Sequence, residues 1–193
     1  MPSRSSDALD AVLTGATEQI RSAVAGLGVT NPVVVIDGRS GAGKTSLAAR
    51  LVRAWPLPQP VQLFALDSVY PGWDGLTRGA EIARQGALLP HSRQRIGRWH
   101  RWDWQHDEPA EAHAVDPDLG LIVEGCGALT RASAPLAHMT VWVDGPASAR
   151  RNRALERDGD VFRDHWDMWA AQEDAHIARE QPAQLATMVF TTP

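Results

Sequence analysis

The sequence predicts an α/β fold in which a parallel sheet is covered by helices on both faces. Five short apolar runs, at residues 33–36, 61–66, 119–123, 139–143 and 185–190, read as buried strands. The segments between most of them place apolar residues at helical spacing, as a crossover-connected sheet requires. Between the first run and the helix after it lies a glycine loop, Gly38-Arg39-Ser40-Gly41-Ala42-Gly43-Lys44-Thr45. It fits G-x-x-x-x-G-K-[ST] at every fixed position, and strand, glycine loop and helix form the context that gives that pattern structural meaning.

Taken in order, residues 6–27 read as an amphipathic helix, with Leu9, Val12, Leu13, Ala16, Ile20, Ala23, Val24 and Leu27 at steps of three and four. Ser5 or Ser6 can cap its start, and Gly26 and Gly28 can end it. A helix follows Thr45, and Pro56 stops it in the linker Trp55-Pro56-Leu57-Pro58-Gln59-Pro60. The second strand ends at Asp67, before the turn-rich stretch Ser68–Gly75. Residues 76–89 read as a helix that Pro90 stops, and residues 91–118 as a long polar, irregular loop. The third strand closes on Glu124 and the fourth on Asp144. Helices are expected over 146–157 and 161–180, with Pro182 breaking the second and a last strand at 185–190. The 193 residues read as one domain, 1–193, large enough to bury a core.

Each residue type in the glycine loop has a chemical reason. Glycines at 38, 41 and 43 allow backbone conformations that side chains forbid, so that loop N–H groups can converge on phosphate oxygens at a helix N-terminus. Lys44 would reach the β- and γ-phosphates, and the Thr45 hydroxyl would ligate Mg²⁺. The nucleotide contacts are therefore expected from Gly38, Arg39, Ser40, Gly41, Ala42, Gly43, Lys44, Thr45 and Ser46.

Bulk properties narrow the partners. With 19 basic and 23 acidic residues and a formal net charge of −4, nothing suggests a nucleic-acid or anionic-membrane surface. The one cysteine, Cys126, excludes an internal disulfide and reads as a small core residue. No apolar stretch reads as a signal peptide or membrane span, so a cytoplasmic protein is expected. Seven histidines show no zinc-ligand spacing.

Other constellations add to the loop. Glu124, at a strand end, is placed to hold a Mg²⁺-bound water or the acceptor side of the site. Asp67, at a neighbouring strand end, is placed to take a hydroxyl proton near the γ-phosphate. Arg150, Arg153 and Arg157 share one helix face and can gather over a transferring phosphoryl group, although the same spacing also describes a solvated basic face. The segment around Trp99, Trp102 and Trp104 can make a stacking pocket, or serve as a portable core for a loop.

These motifs resemble the uridine kinase and phosphoribulokinase branch of P-loop kinases, over about residues 30–160. Ile36–Thr45 looks like its Walker A loop, Asp67-Ser68-Val69-Tyr70 its D-S-F-Y segment, and Val123-Glu124-Gly125 its V-E-G. Arg150, Arg153 and Arg157-Asp158 are similar to its lid pattern, which makes residues 146–160 a lid-like helix. Arg101-Trp102-Asp103-Trp104 resembles its acceptor segment. The resemblance implies a three-layer P-loop sandwich with strand order 2-3-1-4-5, ATP and Mg²⁺ as cofactors, and a small-molecule alcohol, such as a nucleoside, as acceptor. It implies Asp67 as base, with Lys44, Arg150, Arg153 and Arg157 at the phosphoryl group. Tyr70, Trp73, Asp74, Arg101, Trp102, Asp103 and Glu124 are the acceptor-side candidates. The family's hairpin is expected to be shortened or replaced. Two alternatives stay open: a nucleoside monophosphate kinase using Arg93, Arg95, Arg98 and Arg101 as a second phosphate clamp, and a non-catalytic nucleotide-binding module.

Overall fold

A computed structural model describes residues 4–193. Five strands form one parallel sheet: β1 (Val33–Gly38), β2 (Val61–Ala65), β5 (Gly120–Glu124), β6 (Met139–Asp144) and β7 (Met188–Thr191). Their spatial order is β2-β5-β1-β6-β7, which is 2-3-1-4-5 when the sheet strands alone are counted. The central strand β1 is buried at every position, as a strand covered on both faces must be.

Alternation of side chains along β1 builds two cores. Val33 and Val35 join Leu121, Val123, Phe64, Tyr70, Trp166 and Trp169 on one face. Val34 and Ile36 join Ile122, Val141, Val143 and Leu47 on the other. Helix α1 (Arg4–Ala25) lays Leu13, Ala16, Ile20 and Val24 into this second core. It packs beside α2 (Lys44–Arg53), to which Asp10 and Thr14 are bonded through Arg50. Because α1 begins at Arg4, Ser5 and Ser6 lie within its first turn and not at its cap.

Three local expectations are corrected. Pro90 does not end the helix that starts with α3 (Leu76–Ala83); the chain passes through a wider π turn (Arg84–Leu88) into α4 (Leu89–Ser92). There the proline follows directly on the wider turn, where the regular i→i−4 ladder is already interrupted. Residues 97–115 are not an irregular loop but an antiparallel hairpin, β3 (Gly97–Asp103) and β4 (Glu108–Val115). No apolar run marks β4, because most of it faces solvent. Cross-strand pairs hold the hairpin: Trp99 stacks on His113 at 4.5 Å, and Arg101 bonds Glu111 at 2.7 Å. At the end of the chain, Pro182 begins a short helix, α6 (Pro182–Leu185), so the last strand starts only at Met188.

Helix α5 (Ala147–Glu180) contains the two helices expected at 146–157 and 161–180. They are divided at Gly159, whose φ of 68° and ψ of −150° leave the helical region.

Candidate active site

The phosphate loop lies where β1 gives way to α2. Gly38 and Gly41 have φ of +153° and +74°, and a Cβ on either would collide with a backbone carbonyl, of Val143 or Arg150 respectively. Gly43, at φ +102°, is the N-cap of α2. The first donor inside that helix is Leu47 N–H, bonded to Gly43 O at 2.9 Å. The amides of Lys44, Thr45 and Ser46 therefore precede the helical ladder, as an anion-binding helix start requires.

Lys44 Nζ donates to Arg39 O at 3.0 Å and to Cys126 Sγ at 3.2 Å. Burial disfavours its ammonium, but Cys126, Glu124, Glu173 and Asp37 outweigh that and raise its pKa. Burial pushes the Cys126 thiol up to about 12, so it is no nucleophile at neutral pH.

The Thr45 hydroxyl donates to Glu124 Oε1 at 3.2 Å. Burial pushes the Glu124 carboxyl up to about 7; Lys44 opposes the shift and Asp67 adds to it. A hydroxyl and a carboxylate in contact form a hard-oxygen pair that fits Mg²⁺, which takes few protein ligands and keeps its waters. A cation there favours the carboxylate form. Adding preformed Mg²⁺·ATP at pH 7 is therefore expected to release a substantial fraction of a proton, read by titration calorimetry in two buffers of different ionisation enthalpy, and Glu124→Gln should abolish the release. The linked stability has a definite sign. Free Glu124 binds its proton more tightly folded than unfolded, so the stability it contributes is full below about pH 4.5 and is lost as pH rises through about 7.

Asp67 follows β2 in a single 3-10 turn (Leu66–Ser68). It lines a cavity of about 430 Å³ together with Ser40, Thr45, Cys126, Arg157 and Asp158. The rest of the wall is mainly aromatic: Tyr70, Trp73, Trp104, Phe162 and Trp169, with Val161. Tyr70 donates to Cys126 O at 2.7 Å, and Trp104 Nε1 donates to Asp67 O at 3.1 Å. Trp73 stacks on His165 at 4.3 Å and meets Trp104 at 5.1 Å. The hairpin tip, the 70–75 segment and the helix after Gly159 thus meet around one space.

Some candidates stand elsewhere. Arg150 is buried, with Nη1 on Ser40 O at 3.2 Å and Nε on Gly145 O at 2.9 Å. Arg153 reaches Gly41 O at 2.8 Å and Pro193 O at 2.6 Å. Both brace the outside of the loop, and of the three arginines only Arg157 lines the cavity. Arg39 likewise turns outward, to Asp144, Glu173 and Asp174. Arg101 is held by Glu111, Trp102 lines a separate cleft behind the hairpin, and Asp103 accepts from Gln105 N and His106 N in the hairpin turn. Asp74 is exposed and does not line the cavity. Helical spacing placed the three arginines on one face, but it could not say that the face lies against the loop and not over the cavity.

The acceptor-side candidates lacked Trp104, Phe162 and Trp169. Trp104 stood in the tryptophan segment read as a candidate stacking pocket, Trp169 was signalled only by the surplus of tryptophan, eight against one tyrosine, and Phe162 by nothing in the sequence. They also lacked Asp37, which is almost fully buried. Its carboxylate accepts from Gly38 N at 2.6 Å, Gly127 N at 2.8 Å and Leu129 N at 2.9 Å, and lies 3.0 Å from His176 Nε2. Asp37→Ala would strand these groups and is expected to cost about 3–5 kcal/mol of stability, measured by urea unfolding.

The fold and this loop define the class: a three-layer α/β sandwich of the P-loop type. Among solved structures, a candidate uridine kinase from Bacillus stearothermophilus superposes with a TM-score of 0.64 at 17% identity, over 94% of this chain and 98% of that one. A candidate fructose transport system kinase from Silicibacter sp. TM1040 superposes with a TM-score of 0.54 at 16% identity, over 90% and 98%. At these identities the likeness is one of fold. No family model and no curated protein matches the sequence.

Proposed function

We propose that the protein is an ATP-dependent phosphotransferase that moves the γ-phosphate of ATP to a hydroxyl of a small metabolite, with a nucleoside as the first acceptor to test. One observation carries this reading: Thr45 of the phosphate loop, Asp67 and Arg157 line the same cavity, and the rest of its wall is mainly aromatic.

In this reading the loop amides and Lys44 hold the phosphates, and Thr45 and Glu124 would hold Mg²⁺, which would supply charge neutralisation to the phosphates. The acceptor rests against Tyr70, Trp73, Trp104 and Phe162 with its hydroxyl toward Asp67. The acceptor oxygen forms a bond to γ-phosphorus while its proton passes to the Asp67 carboxylate. The bond from γ-phosphorus to the bridging oxygen breaks, and its electron pair leaves with ADP. Of the three arginines of α5, Arg157 is the one beside the transferring group. Arg150 and Arg153 act on the loop from behind.

The geometry favours this over the monophosphate kinase reading. Arg93, Arg95, Arg98 and Arg101 are absent from the cavity wall, so they form no second phosphate clamp there. ADP release should be assayed with nucleosides, nucleoside monophosphates and sugar alcohols. Turnover stimulated by a neutral alcohol supports the proposal, and stimulation by monophosphates alone overturns it. ATP binding with no acceptor-stimulated turnover also overturns it, in favour of a nucleotide-binding module.

A further inference from the structure

The phosphate loop is gripped from behind by both halves of α5. Ser40 O and Gly41 O accept from Arg150 and Arg153, which precede Gly159. From beyond Gly159 comes Glu173, which is only 3% exposed. Its Oε1 accepts the Ser40 amide at 2.7 Å and lies 3.3 Å from Cys126 Sγ. Its Oε2 lies 3.8 Å from Arg39 Nη1. Cys126 in turn touches Lys44 Nζ. A carboxylate therefore stands inside the shell of a loop built to receive an anion, one side chain away from the ammonium that would bind the phosphates.

Two effects follow, of opposite sign. As a hydrogen-bond acceptor, the carboxylate turns the Ser40 N–H outward and so fixes the loop residue beside Gly41, whose glycine-only conformation depends on its neighbours' placement. As a charge, it competes with the phosphates for Lys44, and in a low-dielectric site a charge a few ångström away is felt strongly.

We propose that Glu173 is a positioning residue of the phosphate loop, whose hydrogen bond to Ser40 holds the loop in its anion-binding shape and whose charge limits how tightly that loop retains a nucleotide. This rests on the reading of residues 38–45 as a nucleotide site. The consequence is functional: a loop held in shape but partly neutralised binds readily and lets the product nucleotide go, and release of product sets turnover in many enzymes.

The test is direct binding of Mg²⁺·ATP and Mg²⁺·ADP to the full chain by calorimetry, below the melting temperature of each variant. Glu173→Gln keeps an acceptor for the Ser40 amide and removes the charge, and should bind both nucleotides about 3–10-fold more tightly. Glu173→Ala removes both and should bind them about tenfold more weakly. A residue serving only as packing would move both variants the same way, or neither. Opposite shifts support the proposal. If Glu173→Ala does not fold, Glu173→Gln decides alone: tighter binding supports the proposal, and unchanged or weaker binding overturns it. Absence of nucleotide binding by the unmodified protein overturns the underlying site, which is a different failure from equal binding by all three proteins.

Discussion

Asp67→Asn is expected to leave Mg²⁺·ATP affinity within about twofold and to lower acceptor-dependent turnover by about 10²–10⁴-fold, the range a positioned general base contributes. The separation of the two effects follows from where Asp67 stands. It lies at the end of β2, off the phosphate loop, while its own backbone carbonyl is tied to Trp104. Asparagine keeps the shape and cannot take the proton. Its backbone contact to the hairpin is unchanged, so the cavity wall should persist. Steady-state kinetics with the best acceptor, beside calorimetric titration of ATP, read the two quantities independently. Turnover near the unmodified rate would remove Asp67 from the role of base. Weakened ATP binding with proportionate loss of turnover would make it a nucleotide ligand instead.

Lys44→Ala should weaken Mg²⁺·ATP by about 100-fold or more, as expected when one member of a buried, hydrogen-bonded charge pair is deleted. The loss should be largest for ATP and ADP and small for adenosine, because the ammonium acts on phosphate alone. Titration of all three separates a phosphate ligand from a general loss of fold. Lys44 also offsets the buried Glu124 and Glu173 charges. The variant should therefore carry Glu124 still further above about 7, and it should lose stability mainly above neutral pH, where that carboxyl is forced to ionise. ATP affinity equal to the unmodified protein would end the assignment of Gly38–Thr45 as a phosphate loop.

The arginines show how a sequence pattern can be right about a face and silent about its target. Residues 150, 153 and 157 do share one side of α5. The break at Gly159 and the turn after β6 set that side against the loop carbonyls, and only Arg157, nearest the break, reaches the cavity. The tryptophans show the converse. Trp102 and Trp104 are two residues apart on a strand that ends between them, so Trp102 stays in the cleft behind the hairpin and Trp104 passes round the tip to Asp67. No periodicity argument could separate them, because the hairpin itself carries no apolar alternation to set its register.

What the sequence determined by itself is what depends on local chemistry. The β-branched runs specify the sheet, and glycines with Lys44 and Thr45 specify the loop. Acids placed directly after apolar strands specify Asp67 and Glu124, because a parallel sheet gathers the carboxyl ends of its strands on one side. What only the tertiary structure decided depends on contacts far apart in the chain. Such are Glu173 on Ser40, Asp37 across three backbone amides, and the aromatic wall drawn from residues 70–73, 104 and 162–169. Those groups have no common spacing for a sequence to display. They are brought together by the packing of α5 and the hairpin onto the sheet, and that same packing turned Arg150 and Arg153 from the cavity to the back of the phosphate loop.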